Sequence, residues 1–269
     1  MPGPALTAVV PTLDEAGNLE ACLASLAWLD HVVVIDSGSR DGTVKLAAAH
    51  GATVIEQPFL GYGAQRNRAV AAAPTDWVLC VDADERVTPE LGAEIEAKLG
   101  EPQERRPAGY RIPRHTWVGG HRIRYCGWQT ERVLRLYDRR RGRWNDRLVH
   151  EGVELDGPAG ELAAPLHHFT TPDFASFASK SRRYAELGAR ELLRQGRRRP
   201  SAIAVGLSPL VRFVKMYLLR RGFLDGIPGL MVCATAAYGV LLKYAFLWEL
   251  TGSTDTDTSD KPLGDNEWP

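Results

Sequence analysis

The chain predicts an α/β fold in which a mostly parallel sheet carries helices on both faces and is followed by a helical extension. Short β-branched-rich runs recur through the first hundred residues: "LTAVVP" (6–11), "HVVVID" (31–36), "ATVIEQ" (52–57) and "WVLCVD" (77–82). They are nearly continuous in apolarity, the pattern of strands covered on both faces, not of strands with one face in water. Helical patterns separate them, and that alternation builds a parallel sheet through right-handed crossovers.

Each element has its own local reason. Leu19, Cys22, Leu23 and Leu26 repeat at i, i+3, i+4 and i+7, which predicts a helix with Asn18 as N-cap after the turn residue Gly17. Asp41 is placed to cap a second helix and Gly51 to end it. A further helical pattern near Pro89–Leu99 precedes the polar linker "GEPQERRPAG". From Gly109 to about His168 the pattern becomes short strands and turns. Eleven arginines fall between Arg111 and Arg147, so this stretch either binds a phosphorylated acceptor or presents a solvated basic surface. Helices are expected over 173–195 and 201–220, then an apolar stretch from Phe223 to Leu250. The polar, low-complexity tail 251–269 is expected to be disordered.

Composition narrows the function. With 269 residues, 44% of them hydrophobic, the chain can bury a substantial core. Lys+Arg and Asp+Glu are equal at 33, so net charge implies no nucleic-acid partner. Cys22, Cys80, Cys126 and Cys233 are scattered without a C-x-x-C pair, which argues against a zinc knuckle or a disulfide framework. The start "MPGPALTAVVPT" has no basic region leading into an apolar run, so no export signal is expected and the catalytic part should face the cytoplasm.

Ligands of such sheets bind beyond the carboxyl ends of the strands, where Asp36 and Asp82 sit. A dinucleotide fingerprint is missing after the first strand, where the turn reads "PTLDEAGN", and "GYGAQR" at 61–66 lacks the third glycine. No G-x-x-x-x-G-K-[ST] loop is present either. Instead "WVLCVDADERV" (77–87) delivers Asp82, Asp84 and Glu85 to one spot, where each charge raises the cost of ionising the next. A divalent cation would remove that conflict, since two carboxylates in D-x-D spacing can share its oxygen shell.

The motifs "VVPTLDEAGNL", "VVVIDSGSRDGT", "GYGAQRNRAV" and "WVLCVDADERV" resemble, in order and spacing, glycosyltransferase family 2, enzymes of the GT-A fold. "GYRIPR", "WNDRLVHEGVELDGP", "LHHFT", "RGFLDGIPGL" and "LKYAFLWEL" extend the resemblance to about Leu250, toward the bacterial branch with lipopolysaccharide core β-glucosyltransferases. It implies a GT-A catalytic domain over 1–170, with a nucleotide-sugar half (1–100) and an acceptor half (108–170). A membrane-associating helical extension would span 171–250.

The resemblance also implies roles. Pro11, Thr12 and Glu15 would line the nucleotide pocket with Ser37 and Ser39, and Asp36 would accept the imide N–H of a uracil, favouring a UDP-sugar donor. Asp41 caps its helix and does not touch ligand. Arg66 and Asn67 match an R-N pair opening the third helix, where phosphate or base could be held. Asp84 would coordinate Mg²⁺ or Mn²⁺ on the diphosphate, with Asp82 on the ribose or in the metal's outer shell. His168 is a candidate third ligand, its register blurred by His167. Inverting transfer needs a general base, for which Glu151 leads and Asp146 follows, unless both merely pair with Arg132, Arg135 or Arg147. Twelve Lys/Arg against two acids between Ser179 and Arg221 favour peripheral contact with an anionic leaflet, helped by Tyr238, Tyr244, Phe246 and Trp248. The uncharged run Ile227–Leu242 is too short to span a bilayer comfortably. The acceptor implied is a lipopolysaccharide inner-core or other lipid-linked glycan. Transfer to a polyprenyl phosphate, or a non-catalytic sugar-nucleotide-binding protein, are the alternatives.

Overall fold

Alternate residues of the first strands enter two different cores, which is why their sequences are apolar throughout. In the computed structural model, which describes residues 6–145 and 152–252, β1 (Leu6–Thr12) sends Leu6, Ala8 and Val10 to one face and Val9 to the other. Likewise β2 (His31–Asp36) splits Val34 from Val33 and Ile35, and β4 (Trp77–Cys80) splits Leu79 from Val78 and Cys80. The first face is covered by α1 (Ala16–Ser25), α2 (Thr43–Ala49) and α4 (Pro89–Leu99), the second by α3 (Tyr62–Ala71). With β3 (Thr53–Glu56), these strands stand parallel in the order β3-β2-β1-β4.

Beyond β4 the sheet turns antiparallel: β8 (Arg132–Asp138) pairs β4 and β6 (Gly109–Val118) pairs β8. The order continues through β12 (Leu166–Thr171) to β5 (Glu85–Val87), with β11 (Ala159–Glu161) alongside β6. A separate ribbon joins β9 (Gly142–Trp144) and β10 (Val153–Leu155).

Gly51, at φ 76°, follows α2 where the sequence puts it. Thr88 caps α4, accepting from the Leu91 amide ahead of Pro89. Helix α1 differs. It opens at Ala16 after Glu15, and Asn18 lies inside it, donating to the Glu15 side chain, so a tertiary arrangement displaces the expected cap.

The chain divides into two compact units, residues 1–116 with 130–170, and 117–129 with 171 onward. The second unit therefore takes the segment carrying β7 (His121–Ile123), for which the sequence offered no signal. Its helices are α5 (Phe174–Arg194), α6 (Ala202–Val214), continued by a π turn over Lys215–Leu219, and α7 (Gly226–Gly252). At 27 residues α7 is much longer than its charge-free run, and by length and composition Ala202–Leu219 and Gly222–Gly252 could each cross a membrane. The core of this unit joins Val118, Ile123 and Cys126 to Met216, Val232 and Cys233.

Sheet closeness sets one firm expectation. A Cβ on Gly109 would lie 2.8 Å from the Leu136 carbonyl oxygen and 2.9 Å from Tyr137 Cβ, neither of which can rotate away. Gly109→Ala should therefore destabilise the protein by about 1–3 kcal/mol in denaturant unfolding. Gly17→Ala meets nothing within 4 Å and should be neutral or stabilising by up to about 1 kcal/mol.

Candidate active site

The loops after β1 and β2 are sewn together before any ligand arrives. Asp36 is fully buried; its Oδ1 accepts the Gly38 and Ser39 amides at 2.9 and 2.8 Å, and its Oδ2 accepts the Thr12 hydroxyl at 3.0 Å and the Ser39 hydroxyl. Four donors fill the carboxylate's acceptor sites. Asp36 thereby holds the 37–39 loop. Thr12 serves the same bracket. Asp14, at φ 52°, adds to it by donating its amide to Ser39 Oγ and accepting the Arg40 amide. Asp41 accepts from Ala16 and Thr43, tying α1 to α2 as a capping residue would. Half-buried Pro11 and Glu15 lie at the same strand end. Ser37 Oγ accepts from Gln65, a buried side chain that also donates to the Gln57 carbonyl and accepts the Leu60 amide.

The R-N pair is also redirected. Helix α3 opens at Tyr62 after Gly61 (φ 104°), so Arg66 and Asn67 lie past its first turn and away from its anion-attracting end. Asn67 exchanges two hydrogen bonds with the backbone of Trp144, donating to the carbonyl at 2.9 Å and accepting the amide at 3.0 Å. It staples β9 to the helix. Arg66 donates to Asp82 Oδ1 at 2.7 Å while its guanidinium lies 4.6 Å from the centre of the Trp144 ring.

After β4 the chain turns, with the Glu85 amide donating to the Asp82 carbonyl, and the turn sends the acids in different directions. Asp82 Oδ2 receives Arg135, which also donates to Glu85 Oε1 at 3.0 Å. Fully buried Glu85 takes the Asp82 amide on Oε2 and has Arg114 3.6 Å from Oε1, and Arg114 in turn grips Glu131 at 2.6 Å. Cation and anion thus alternate from Arg66 to Glu131. Burial alone disfavours charge on Asp82, but Arg135 and Arg66 outweigh it and hold the carboxyl far below its ordinary range. Burial likewise disfavours a charged Arg135, yet Asp82 and Glu85 raise its affinity for the proton. With both oxygens on guanidinium groups, Asp82 is not offered as a direct metal ligand, only as a neighbour of one.

Asp84 points elsewhere. Pairing of β12 with β5 sets His168 opposite Glu85, which brings His168 Nε2 to 3.3 Å from Asp84 Oδ2. The register uncertainty between the two histidines disappears, because His167 instead lies beside the His115 ring, 5.9 Å between centres. Adjacent ligands of an octahedral ion bound at about 2.1 Å stand about 3 Å apart, so a carboxylate oxygen and a ring nitrogen at this separation fit one Mg²⁺ or Mn²⁺. Among the described residues no group of three or more His, Cys, Asp or Glu gathers around a metal position, so further ligands would come from substrate and water. Asp146 and Glu151, the candidate bases, lie outside the described residues, as does Arg147. Their flanks are placed: the Asn145 amide donates to the Gly152 carbonyl, beside the anchored Trp144.

Sequence reasoning placed Glu85 in the acidic cluster but missed Arg114 and Gln65 as site-builders, and it paired Arg135 with Asp146 or Glu151 when its partners are Asp82 and Glu85. Strand pairing and helix packing bring these residues in.

The fold and this acidic strand end define a sugar-nucleotide transferase class. The family model for glycosyl transferase family 2 matches residues 7–150, over half of the chain, and the chain belongs to that family. It is 28% identical to an uncharacterized glycosyltransferase of Rickettsia bellii, covering 97% of both chains. It is also 28% identical to the lipopolysaccharide core biosynthesis glycosyltransferase LpsC of Rhizobium meliloti, covering 91% of this chain and 92% of that one. Among solved structures it is similar to residues 1–349 of S. aureus TarS, with 15% identity, 91% and 90% coverage and a TM-score of 0.44. Similarity to glucosyl-3-phosphoglycerate synthase from Mycobacterium tuberculosis, solved with Mn²⁺, UDP and glucosyl-3-phosphoglycerate, covers 44% and 46% at 24% identity and a TM-score of 0.35.

Removing Arg135 should strand two acids. Arg135→Met is expected to lose about 3–5 kcal/mol of stability at pH 7. The deficit should shrink toward pH 4. In the wild type the depressed Asp82 carboxyl contributes stability above its unfolded value and loses it only far into acid, whereas in the variant protonation relieves the uncompensated charge. Paired thermal melts across pH check both the size and the sign.

Proposed function

We propose that the chain is an inverting glycosyltransferase that moves a hexose, glucose by preference, from a UDP-sugar to a cell-envelope glycan. The acceptor would be the lipopolysaccharide inner core, and the enzyme would work as a peripheral protein on the cytoplasmic face of the bacterial inner membrane. The observation that carries the reading is the separation of roles at the end of β4, where Asp82 and Glu85 are neutralised by arginine while Asp84 meets His168. Family membership supports the reaction, and the full-length similarity to an enzyme named for lipopolysaccharide core biosynthesis supports the acceptor.

Asp84 and His168 would hold Mg²⁺ or Mn²⁺, which supplies compensation for the charge that develops on the departing diphosphate. The chain's own work is positional. The bracket around Asp36 presents the 37–39 loop to the base and ribose, and Arg66 and Arg135 fix Asp82 beside the diphosphate position. The acceptor hydroxyl must lose its proton as the new bond forms, and Glu151, with Asp146 second, would take it. Both belong to the segment rooted at Trp144, which Asn67 holds beside Arg66.

A thermal-shift panel of nucleotide sugars with and without Mn²⁺ tests the donor: a UDP-sugar should raise Tm most, and only with metal. Equal or better stabilisation by a guanosine or cytidine diphosphate sugar would refute it. Asp84→Ala should lose metal-dependent donor binding and turnover together. Glu151→Gln should keep donor affinity in calorimetry while kcat falls by about 10² to 10⁴. Near-normal kcat in that variant moves the base to Asp146.

A further inference from the structure

Helices α6 and α7 pack on each other, and each still turns an apolar stripe outward. On α6 and its π turn, Ile203, Leu207, Leu210, Val214 and Leu218 follow spacings of four, three, four and four residues, one face of the helix, and no residue of α6 itself is buried. On α7, Ile227, Leu230, Met231, Tyr238 and Leu241 repeat the pattern, with Trp248 further along. Ile203 and Ile227 are 74% and 73% exposed, far beyond scattered surface apolarity.

Charge selects the occupant. Between Gln195 and Asp225 stand Arg197, Arg198, Arg199, Arg212, Lys215, Arg220 and Arg221, against one acid. That acid, Asp225, accepts the Arg124 and Tyr125 amides. A second copy packed face to face would bring identical cations together, while an anionic headgroup layer meets them with opposite charge. Exposed Tyr238 and Trp248 belong at such an interface, and Arg199 lies 4.1 Å over the Trp248 ring.

Composition alone permits two spans, but the packing of α5 on α7 opposes a spanning α7. Helix α5 runs along α7, with Ser181 Oγ against Gly239 and Gly188 against the stem of Lys243. It carries Lys180, Arg182, Arg183, Glu186, Arg190, Glu191 and Arg194. A spanning α7 would draw these charges into hydrocarbon, at about 2.5–3.5 kcal/mol each on insertion scales.

We propose that α6 and α7 form an in-plane membrane-binding face: their stripes enter the acyl region of one leaflet, the flanking arginines engage anionic headgroups, and α5 stays in water. This deepens the peripheral-membrane part of the proposed function and is tested separately from it. Full-length protein should sediment with preformed vesicles of phosphatidylcholine containing phosphatidylglycerol and far less with phosphatidylcholine alone. Leu207→Glu/Leu210→Glu/Ile227→Glu, at exposed positions, should weaken partitioning by about tenfold or more with an unchanged melting curve. Donor-induced thermal shift, measured on the same variant, should stay at the wild-type value, so a failed membrane reading is distinguishable from a failed donor reading. Unchanged vesicle binding by the variant would overturn the proposal. So would a wild-type oligomer that binds no vesicles and dissociates on the Glu substitutions, or a protein that needs detergent and cannot join preformed vesicles.

Discussion

The guanidinium of Arg135, buried between Asp82 and Glu85, is the interaction on which the site depends. A strand running through a two-sided core cannot end in three acids unless most of their charge is cancelled, because each desolvated carboxylate resists the next. Arg135 and Arg66 cancel it for Asp82, and Arg135 with Arg114 does so for Glu85. The turn between Asp82 and Asp84 aims one at the arginines and the other at His168, so the two acids of D-x-D have different surroundings.

The same network reaches the segment that would act on the acceptor. Trp144 lies under Arg66 and 5.7 Å from Arg135, and its backbone is held by Asn67. The β9–β10 ribbon is therefore anchored to the charges that fix Asp82. A shift of Arg66 or Arg135 would therefore reach both Asp82 and Trp144.

The fold was readable because its signals are local: two-sided strands, the α1 stripe, the pattern near Pro89–Leu99 and Gly51. The acids and His168 were readable as residue types. Their division was not, since Arg66, Arg114 and Arg135 come from a helix and two strands far apart in sequence, and nothing marks which of eleven neighbouring arginines turns inward. An acid at a strand end can serve ligand or loop, and sequence position does not show the four donors that Asp36 takes from Thr12 and its own loop. The four cysteines showed no pairing in sequence, yet folding brings Cys126 and Cys233 to 3.5 Å inside the helical unit's core.

Periodicity in α6 and α7 explains why hydropathy misjudges this extension in both directions. The uncharged run is too short to span, while the helices are long enough, and neither measure sees which side is already occupied. One side of α7 is covered by α5 and its charges, so the apolar residues left outward form a stripe, not a cylinder. A cylinder would be solvated by lipid all round; a stripe with cations at its margins is solvated by lipid on one side and water on the other. The segment 117–129 reinforces this by closing over the turn between the helices. Asp225 takes two of its amides, and the Cys126 amide donates to the Arg220 carbonyl.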